Sequence, residues 1–257
     1  MLRKIILLLC LSPVMSFAGS YEFDISAGGR HPRAFDPTLS PVVYFGAAAD
    51  LDAGFEYRDG EAALTADLGI GGGLLSSGKV HLSQSGNRIV DTVFDFGLSA
   101  GGFWLAASGG GSELRFGAVL EYDFIFINLV HLGRYSWSGD LSIGPSAEYR
   151  LFPSENSSIR LSFSTAVFSM LNRPGWTIFD DELDSILAGS FILLLFRGTP
   201  VFITDYLKLD GKIEYEYIFD LNRSALFSAS CGYRSVKIPR PALFIDFEFR
   251  IGFRYAW

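Results

Sequence analysis

Apolar and polar residues alternate along most of this 257-residue chain. In residues 21–27, Tyr-Glu-Phe-Asp-Ile-Ser-Ala, the odd positions are apolar and the even positions are polar. A period of two places one set of side chains on each face of a β-strand. The pattern therefore predicts strands that each have one apolar and one polar face, and an all-β fold.

Ten runs of this kind are present, and an even number of strands is typical of single-chain bacterial barrels. They span residues 21–27, 43–57, 62–70, 94–104, 114–124, 141–149, 159–167, 207–219, 225–233 and 243–257. The segment 176–200 does not follow the pattern, because it is acidic at first and then largely apolar, without alternation, from 185 to 196. It predicts either a further hairpin completed by residues 201–204, giving twelve strands, or a short helix at about 185–197. We favour ten strands.

Two Asp-Gly dipeptides help to place the turns between these strands. Asp59-Gly60 predicts a two-residue hairpin loop, because the apolar residues change from odd to even positions after it. Asp210-Gly211 has the same composition, but the parity continues through it unchanged. The second pair therefore predicts a continuous strand with room for a bulge.

Strands with one apolar face form either a soluble sandwich or a membrane barrel. No stretch approaches the roughly 18 apolar residues of a membrane helix, although the mean hydropathy is +0.28. Short and long connections alternate, as in a barrel with two unlike rims. Aromatic residues also recur near one predicted rim, on the apolar face: Tyr21, Tyr57, Trp104, Tyr149, Phe219 and Trp257. These features predict a transmembrane, antiparallel, up-and-down β-barrel.

The polar faces of the strands carry many charges, which a barrel would enclose. The lumen residues predicted on this basis are Asp50, Asp52, Asp95, Glu121, Asp123, Glu148, Arg150, Glu214, Glu216, Asp246, Glu248 and Arg250. Enclosed charges can pair and close a narrow lumen. Because carboxylates are in excess, they can instead line a water-filled path that prefers cations. We expect a non-enzymatic barrel that is either a small porin-like channel or a structural, surface-contact protein, with no cofactor and no metal.

The last eight residues, Arg-Ile-Gly-Phe-Arg-Tyr-Ala-Trp, place a glycine and two aromatics at Gly252, Tyr255 and Trp257. This ending resembles the carboxy-terminal signal of bacterial outer-membrane β-barrel proteins, with tryptophan in place of the commoner final phenylalanine. The resemblance implies insertion into the outer membrane of a diderm bacterium with both termini periplasmic, and we expect a monomer. It also implies the barrel-assembly machinery, periplasmic chaperones, and outer-membrane lipid and lipopolysaccharide or its equivalent as partners.

The first 18 residues predict a secretory signal peptide. Two basic residues are followed by an apolar run from Ile5 to Val14 and by Ser-Phe-Ala at 16–18. We expect cleavage after Ala18, which leaves a barrel of residues 19–257. Cys231 is then the single cysteine, so no internal disulfide is expected. The acidic balance, with a net charge of -7, argues against binding to nucleic acid.

Candidate catalytic residues are few. His81-Leu82-Ser83 resembles the His-x-Ser spacing of outer-membrane phospholipase A and the lipid A deacylases, in which alternate strand positions bring a histidine base to a serine. The Asn-Gly that follows in that family is missing, because Gln84 follows Ser83. A lipid hydrolase that uses His81 and Ser83 is therefore the alternative function, and a polar loop is our expectation.

The omptin-type outer-membrane proteases offer a second comparison. Asp50-x-Asp52 resembles their acidic pair, but none of the three histidines here has an aspartate two residues before it. The acidic residues at 180–184 lack the ligand spacing of a calcium loop. Neither pattern changes the expected function.

Overall fold

The structure is a computed structural model that describes residues 19–35, 43–77, 81–82, 88–172, 198–237 and 241–257. Within these ranges the only helical element is a single 3-10 turn, Val130–Leu132, and no helix has the length and apolar character needed to cross a bilayer. The described strands are β1 (Ser20–Phe35), β2 (Val43–Asp59), β3 (Ala62–Ser76), β4 (His81–Leu82), β5 (Arg88–Ile89), β6 (Asp91–Gly109), β7 (Ser112–Leu129), β8 (Arg134–Ser154), β9 (Ser157–Thr165), β10 (Phe168–Asn172), β11 (Thr199–Phe202), β12 (Tyr206–Asp220), β13 (Arg223–Val236) and β14 (Ala242–Ala256).

Ten of these strands close an antiparallel barrel. Their order is β8-β7-β6-β3-β2-β1-β14-β13-β12-β9, and β9 returns to pair with β8. The first strand pairs with the last over most of its length, from Glu22 opposite Ala256 to Phe35 opposite Leu243. Each of the ten alternating runs in the sequence corresponds to one barrel strand, so the predicted ten-stranded, up-and-down barrel is confirmed.

The other four strands do not widen the barrel. Strands β4 and β5 form a separate two-stranded ribbon. Strand β10 follows β9 along β8 after a break at 166–167, and β11 precedes β12 and pairs with β10. The short strand at 199–202 therefore lengthens the wall, and the twelve-stranded alternative is not what closes the barrel. The predicted helix at 185–197 lies outside the described residues, as does most of the segment 176–200.

Four two-residue loops lie on the same rim as the start of β1 and the end of β14, and we call it the short-turn rim. The loops are 60–61, 110–111, 155–156 and 221–222. The opposite end, where strands are joined by the longer connections, is the long-loop rim.

The first hairpin differs by one residue from its prediction. Asp59 pairs with Ala62, so the loop is Gly60-Glu61 and not Asp59-Gly60. Gly60 has a φ of 51°, the left-handed region that favours glycine. A loop at 59–60 and a loop at 60–61 are both two residues long. Each residue of the two strands therefore faces the same side of the sheet with either loop. The prediction for Asp210-Gly211 is confirmed, because β12 is continuous there and its register shift lies between Ile218 and Asp220.

The outer face of the barrel is apolar. Large side chains such as those of Phe249, Phe253 and Trp104 are 70%, 68% and 65% exposed. At the short-turn rim the ring of Tyr21 lies 5.0 Å from that of Tyr57 and 6.1 Å from that of Trp257. An apolar wall that ends in a band of aromatic rings is the outer surface of a membrane barrel.

Candidate functional site

All twelve predicted lumen residues lie at inward-facing positions of their strands. Inward positions are even-numbered in β1, β2, β8, β9 and β12–β14 and odd-numbered in β3, β6 and β7. Ten of the twelve line a central cavity of about 370 Å³. The other two, Arg150 and Glu216, are buried near the short-turn rim and bond to each other over 2.8 Å.

Four arginines and five glutamates lie together inside the barrel near the short-turn rim, and we call this set the ionic seal. It consists of Arg58, Arg150, Arg160 and Arg254 with Glu22, Glu56, Glu148, Glu214 and Glu216. Arg160 on β9 donates to Oε2 of Glu56 on β2 over 2.9 Å. Because β9 and β2 are five strands apart in either direction around the barrel, this bond crosses the full width of the lumen.

The other contacts of the ionic seal tie more strands to this bridge. Arg160 also lies within 4.0 Å of the carboxylates of Glu148, Glu214 and Glu22. Arg254 contacts Glu214 over 2.8 Å, and Glu216 accepts further hydrogen bonds from the hydroxyls of Ser158 and Ser224 over 2.8 and 2.7 Å. Charges that are bonded from several sides are the form in which buried ion pairs are tolerated.

A second ion cluster joins side chains of β7, β8, β12 and β13. The ammonium of Lys208 is almost fully buried and contacts the carboxylates of Glu121, over 2.6 Å, and of Asp123. Arg234 also contacts Asp123, over 3.2 Å. The hydroxyl of Tyr206 donates to Asp140. Because β7 and β13 are four strands apart around the ten-stranded barrel, the contact between Arg234 and Asp123 also spans most of the lumen.

The central cavity is acidic, and we call it the acidic chamber. Among the described residues that line it, thirteen are carboxylates and seven are lysines or arginines. Arg30 contacts Asp50 over 3.5 Å and also Asp95. Arg250 lies 2.9 Å from Asp52 and 2.6 Å from Glu248. Because carboxylates outnumber the lysines and arginines, some carboxylates remain without a cationic partner, and the chamber carries an excess of acidic groups.

An apolar layer lies inside the barrel between the acidic chamber and the long-loop rim. Its thirteen buried residues come from ten strands around the barrel: Ala34, Tyr44, Leu75, Val93, Ile125, Ile127, Leu129, Leu171, Val201, Tyr206, Val236, Ala242 and Phe244. Leu129 is 0% exposed. Apolar side chains that meet inside a pore exclude water and ions from it.

No protein-family model matches the sequence, and no curated protein matches it. Among solved structures, the outer membrane protease OmpT from Escherichia coli aligns over 94% of this chain and 99% of its own, with a TM-score of 0.57 and 8% identity. The chain has the outer-membrane β-barrel fold.

Two further solved structures cover most of this barrel at lower similarity. The translocator domain of the autotransporter NalP from Neisseria meningitidis has a TM-score of 0.43 and 10% identity, over 98% of this chain and 94% of that one. The COG4313 outer membrane channel from Pseudomonas putida F1 has a TM-score of 0.44 and 8% identity, over 93% and 95%. At these identities the likeness concerns the fold alone, and the activities of these proteins are not transferred to this chain.

Glycines on neighbouring strands make room for the carboxylates of this barrel. A Cβ atom added to Gly71 would collide with the carboxylates of both Asp50 and Asp95, and one added to Gly54 would lie 2.7 Å from Asp24. The aspartates therefore lie against the wall, over the backbone of the next strand.

We expect Gly71→Ala to lower the free energy of unfolding by about 1–3 kcal/mol, the usual cost of overpacking. Asp50 and Asp95 are both held by Arg30, so they cannot move freely away from a new methyl group. Gly72→Ala is the matched control, because Gly72 faces outward and its nearest neighbour would be at 3.6 Å. Urea titration of both variants in lipid vesicles measures the difference. Equal stability of the two would show that the glycine does not shape the chamber.

The predicted catalytic pair cannot be placed. Ser83 lies outside the described residues, and only the backbone of His81 is described, in β4. His131 instead meets Asp91, with 2.8 Å between Nδ1 and a carboxylate oxygen, and its backbone N–H lies 3.4 Å from the same oxygen. The pair fixes the 3-10 turn to the start of β6.

The predicted assembly signal lies at the seam of the barrel. Trp257 exchanges backbone hydrogen bonds with Tyr21, and its ring lies 5.7 Å from that of Tyr255. A Cβ atom at Gly252 would lie 2.6 Å from Ser26 on β1, so close packing requires glycine there. Recognition of these residues by the barrel-assembly machinery stays a prediction, as does the signal peptide, because residues 1–18 lie outside the described part.

Sequence reasoning missed part of the interior. Arg30, Lys208, Lys212 and Arg234 share the inward parity of their strands and line the chamber, so parity alone could have found them. The apolar layer was also missed. Its inward residues stand next to outward apolar ones, as in residues 125–127, Ile-Phe-Ile, where alternation is lost.

Proposed function

We propose that this outer-membrane barrel is closed through its lumen and acts at its long-loop rim as a structural or surface-contact protein. The bond between Arg160 and Glu56 across the full width of the barrel carries the proposal. A ten-stranded barrel that served as an open diffusion pore would need a lumen without side chains bonded across it. The apolar layer supports the same function, since it gives the lumen a second closure nearer the other rim.

The orientation of the barrel belongs to this proposal. The signal peptide at 1–18 directs export, and the termini and two-residue loops of the short-turn rim face the periplasm. The long connections then face outward, where they contact lipopolysaccharide and surfaces outside the cell. Binding and contact residues of barrels are commonly carried on such connections.

Solute flux into vesicles tests the closure. We expect vesicles that contain refolded residues 19–257 to swell in arabinose no faster than protein-free vesicles, because both the ionic seal and the apolar layer obstruct the lumen. Protease protection confirms insertion in the same sample. Swelling that rises in proportion to the inserted protein would overturn the proposal.

The surface-contact role has its own test. Fluorescent vesicles that carry the barrel are mixed with bacterial cells, and bound fluorescence is measured. Replacement of residues 176–184 by a Gly/Ser linker of equal length should abolish binding and leave the vesicles impermeable. Equal binding by both proteins would show that this connection does not make the contact.

A cation-selective path is the second candidate function, and the excess of carboxylates in the acidic chamber favours it. It requires that both closures open. Conductance of variants that remove them separates the two functions.

A further inference from the structure

Two aspartates of the acidic chamber lie on either side of Gly232. Asp210 on β12 and Asp246 on β14 are both directly opposite this glycine of β13. A Cβ atom added to Gly232 would lie 3.0 Å from Oδ1 of Asp210 and 4.0 Å from Cβ of Asp246. The glycine thus opens a space in the wall with one carboxylate at each side.

Neither aspartate has an ion-pair partner among the residues that the structure describes. The nearby cations bind elsewhere, since Arg234 contacts Asp123, and Lys208 contacts Asp123 and Glu121. Oδ2 of Asp210 is buried and accepts no hydrogen bond. A buried carboxylate oxygen without a donor is costly, because it has lost water and gained nothing in return.

The opposite wall of the chamber presents a third carboxylate that lacks an ion pair. Asp67 on β3 accepts a hydrogen bond from Ser99 over 3.0 Å and has no ion pair in the described part of the chain. Strand β3 lies five strands from β12, directly across the barrel. The chamber therefore holds unpaired negative charge at two separated places.

From these features we propose that the acidic chamber binds a small organic cation with two or more ammonium groups. One ammonium lies between Asp210 and Asp246, and another reaches Asp67. An ammonium has three donors and no acceptor, so it can satisfy two carboxylates at once. A cavity of about 370 Å³ is of the size that holds small ligands.

The chemistry favours an organic cation over a metal ion. Among the described residues, no group of three or more His, Cys, Asp or Glu side chains is placed to hold a metal. A flexible diamine or triamine can bridge carboxylates that lie too far apart for one ion. The site is independent of the proposed function, because a closed barrel and a conducting one would both contain it.

Native mass spectrometry with spermidine as the probe tests the site. Residues 19–257 are refolded with spermidine present, so that closure of the lumen does not prevent entry, and free spermidine is removed. We expect one bound molecule for the unmodified barrel. The double variant Asp210→Asn, Asp246→Asn should lower the occupancy about tenfold for each carboxylate removed.

Two single variants separate a built site from general charge attraction. Asp220→Asn removes an exposed carboxylate at the short-turn rim that pairs with Arg223, so it should leave the occupancy unchanged. Gly232→Ala leaves the net charge unchanged but places a methyl group against Asp210, so it should lower the occupancy.

The same spectra can overturn the site. No retained spermidine on the unmodified barrel would do so, as would equal losses in the Asp210/Asp246 and Asp220 variants. Refolding with equal concentrations of spermidine and Mg²⁺ that leaves no bound spermidine would also overturn it. Vesicle swelling does not bear on these outcomes, so failure of the site and failure of the proposed closure are distinguishable.

Discussion

Arg160→Ala is expected to lower the free energy of unfolding by about 3–5 kcal/mol, the cost of removing one partner from a buried ion pair. Arg160 lies within 4.0 Å of four glutamates on four strands. Its loss leaves Glu56, which is 5% exposed, with Arg58 as its remaining ion partner. The penalty follows from the burial of these carboxylates, because exposed ion pairs contribute about 0–1 kcal/mol.

Urea titration of the refolded barrel in lipid vesicles, followed by tryptophan fluorescence, measures this change. Arg223→Ala is the control, because the Arg223 side chain is 72% exposed at the short-turn rim and pairs with Asp220. Arg160→Lys should fall between the two, since a single ammonium lacks the width of the guanidinium fork. If Arg160→Ala unfolds at the same urea concentration as Arg223→Ala, the ionic seal does not stabilise the barrel.

The second large effect is expected at Leu129. Leu129→Ala should lower the free energy of unfolding by about 2–5 kcal/mol, because it removes a fully buried side chain from the apolar layer and leaves a cavity. Leu120→Ala is the matched control on the same strand, where the side chain faces outward and is 47% exposed. The same titration compares them. A larger loss for Leu120→Ala would show that the layer is not a packed core.

The strand number and the faces of the strands could be predicted because a period of two records which face each residue occupies. This is why Asp50 and Glu248 could be assigned to the interior from their parity alone. The first hairpin loop was misplaced by one residue for the same reason. Loops at 59–60 and 60–61 give the same parity, so alternation cannot distinguish them.

The alternation does not show how far along the barrel axis each residue lies. The ionic seal and the apolar layer both depend on this position. Arg160 and Glu56 are 104 residues apart, and they meet only because the register of several strands brings them to one level. In the apolar layer, Val93 and Leu75 face inward at the ends of strands. At these strand ends the inward and outward residues are both apolar, so the sequence does not show which of them face the lumen. The layer became evident only from the pairing of the strands.

Single-channel recording in planar bilayers tests most directly whether two closures obstruct the lumen in series. The proteins compared are the unmodified barrel, Arg160→Ala, the triple variant Ile125→Ser, Ile127→Ser, Leu129→Ser, and the combination of all four changes. Protease protection verifies insertion of each. We expect silence from the first three, and cation-selective steps from the combination because it exposes the acidic chamber at both ends. Reproducible conductance steps from the unmodified barrel would contradict the closed lumen.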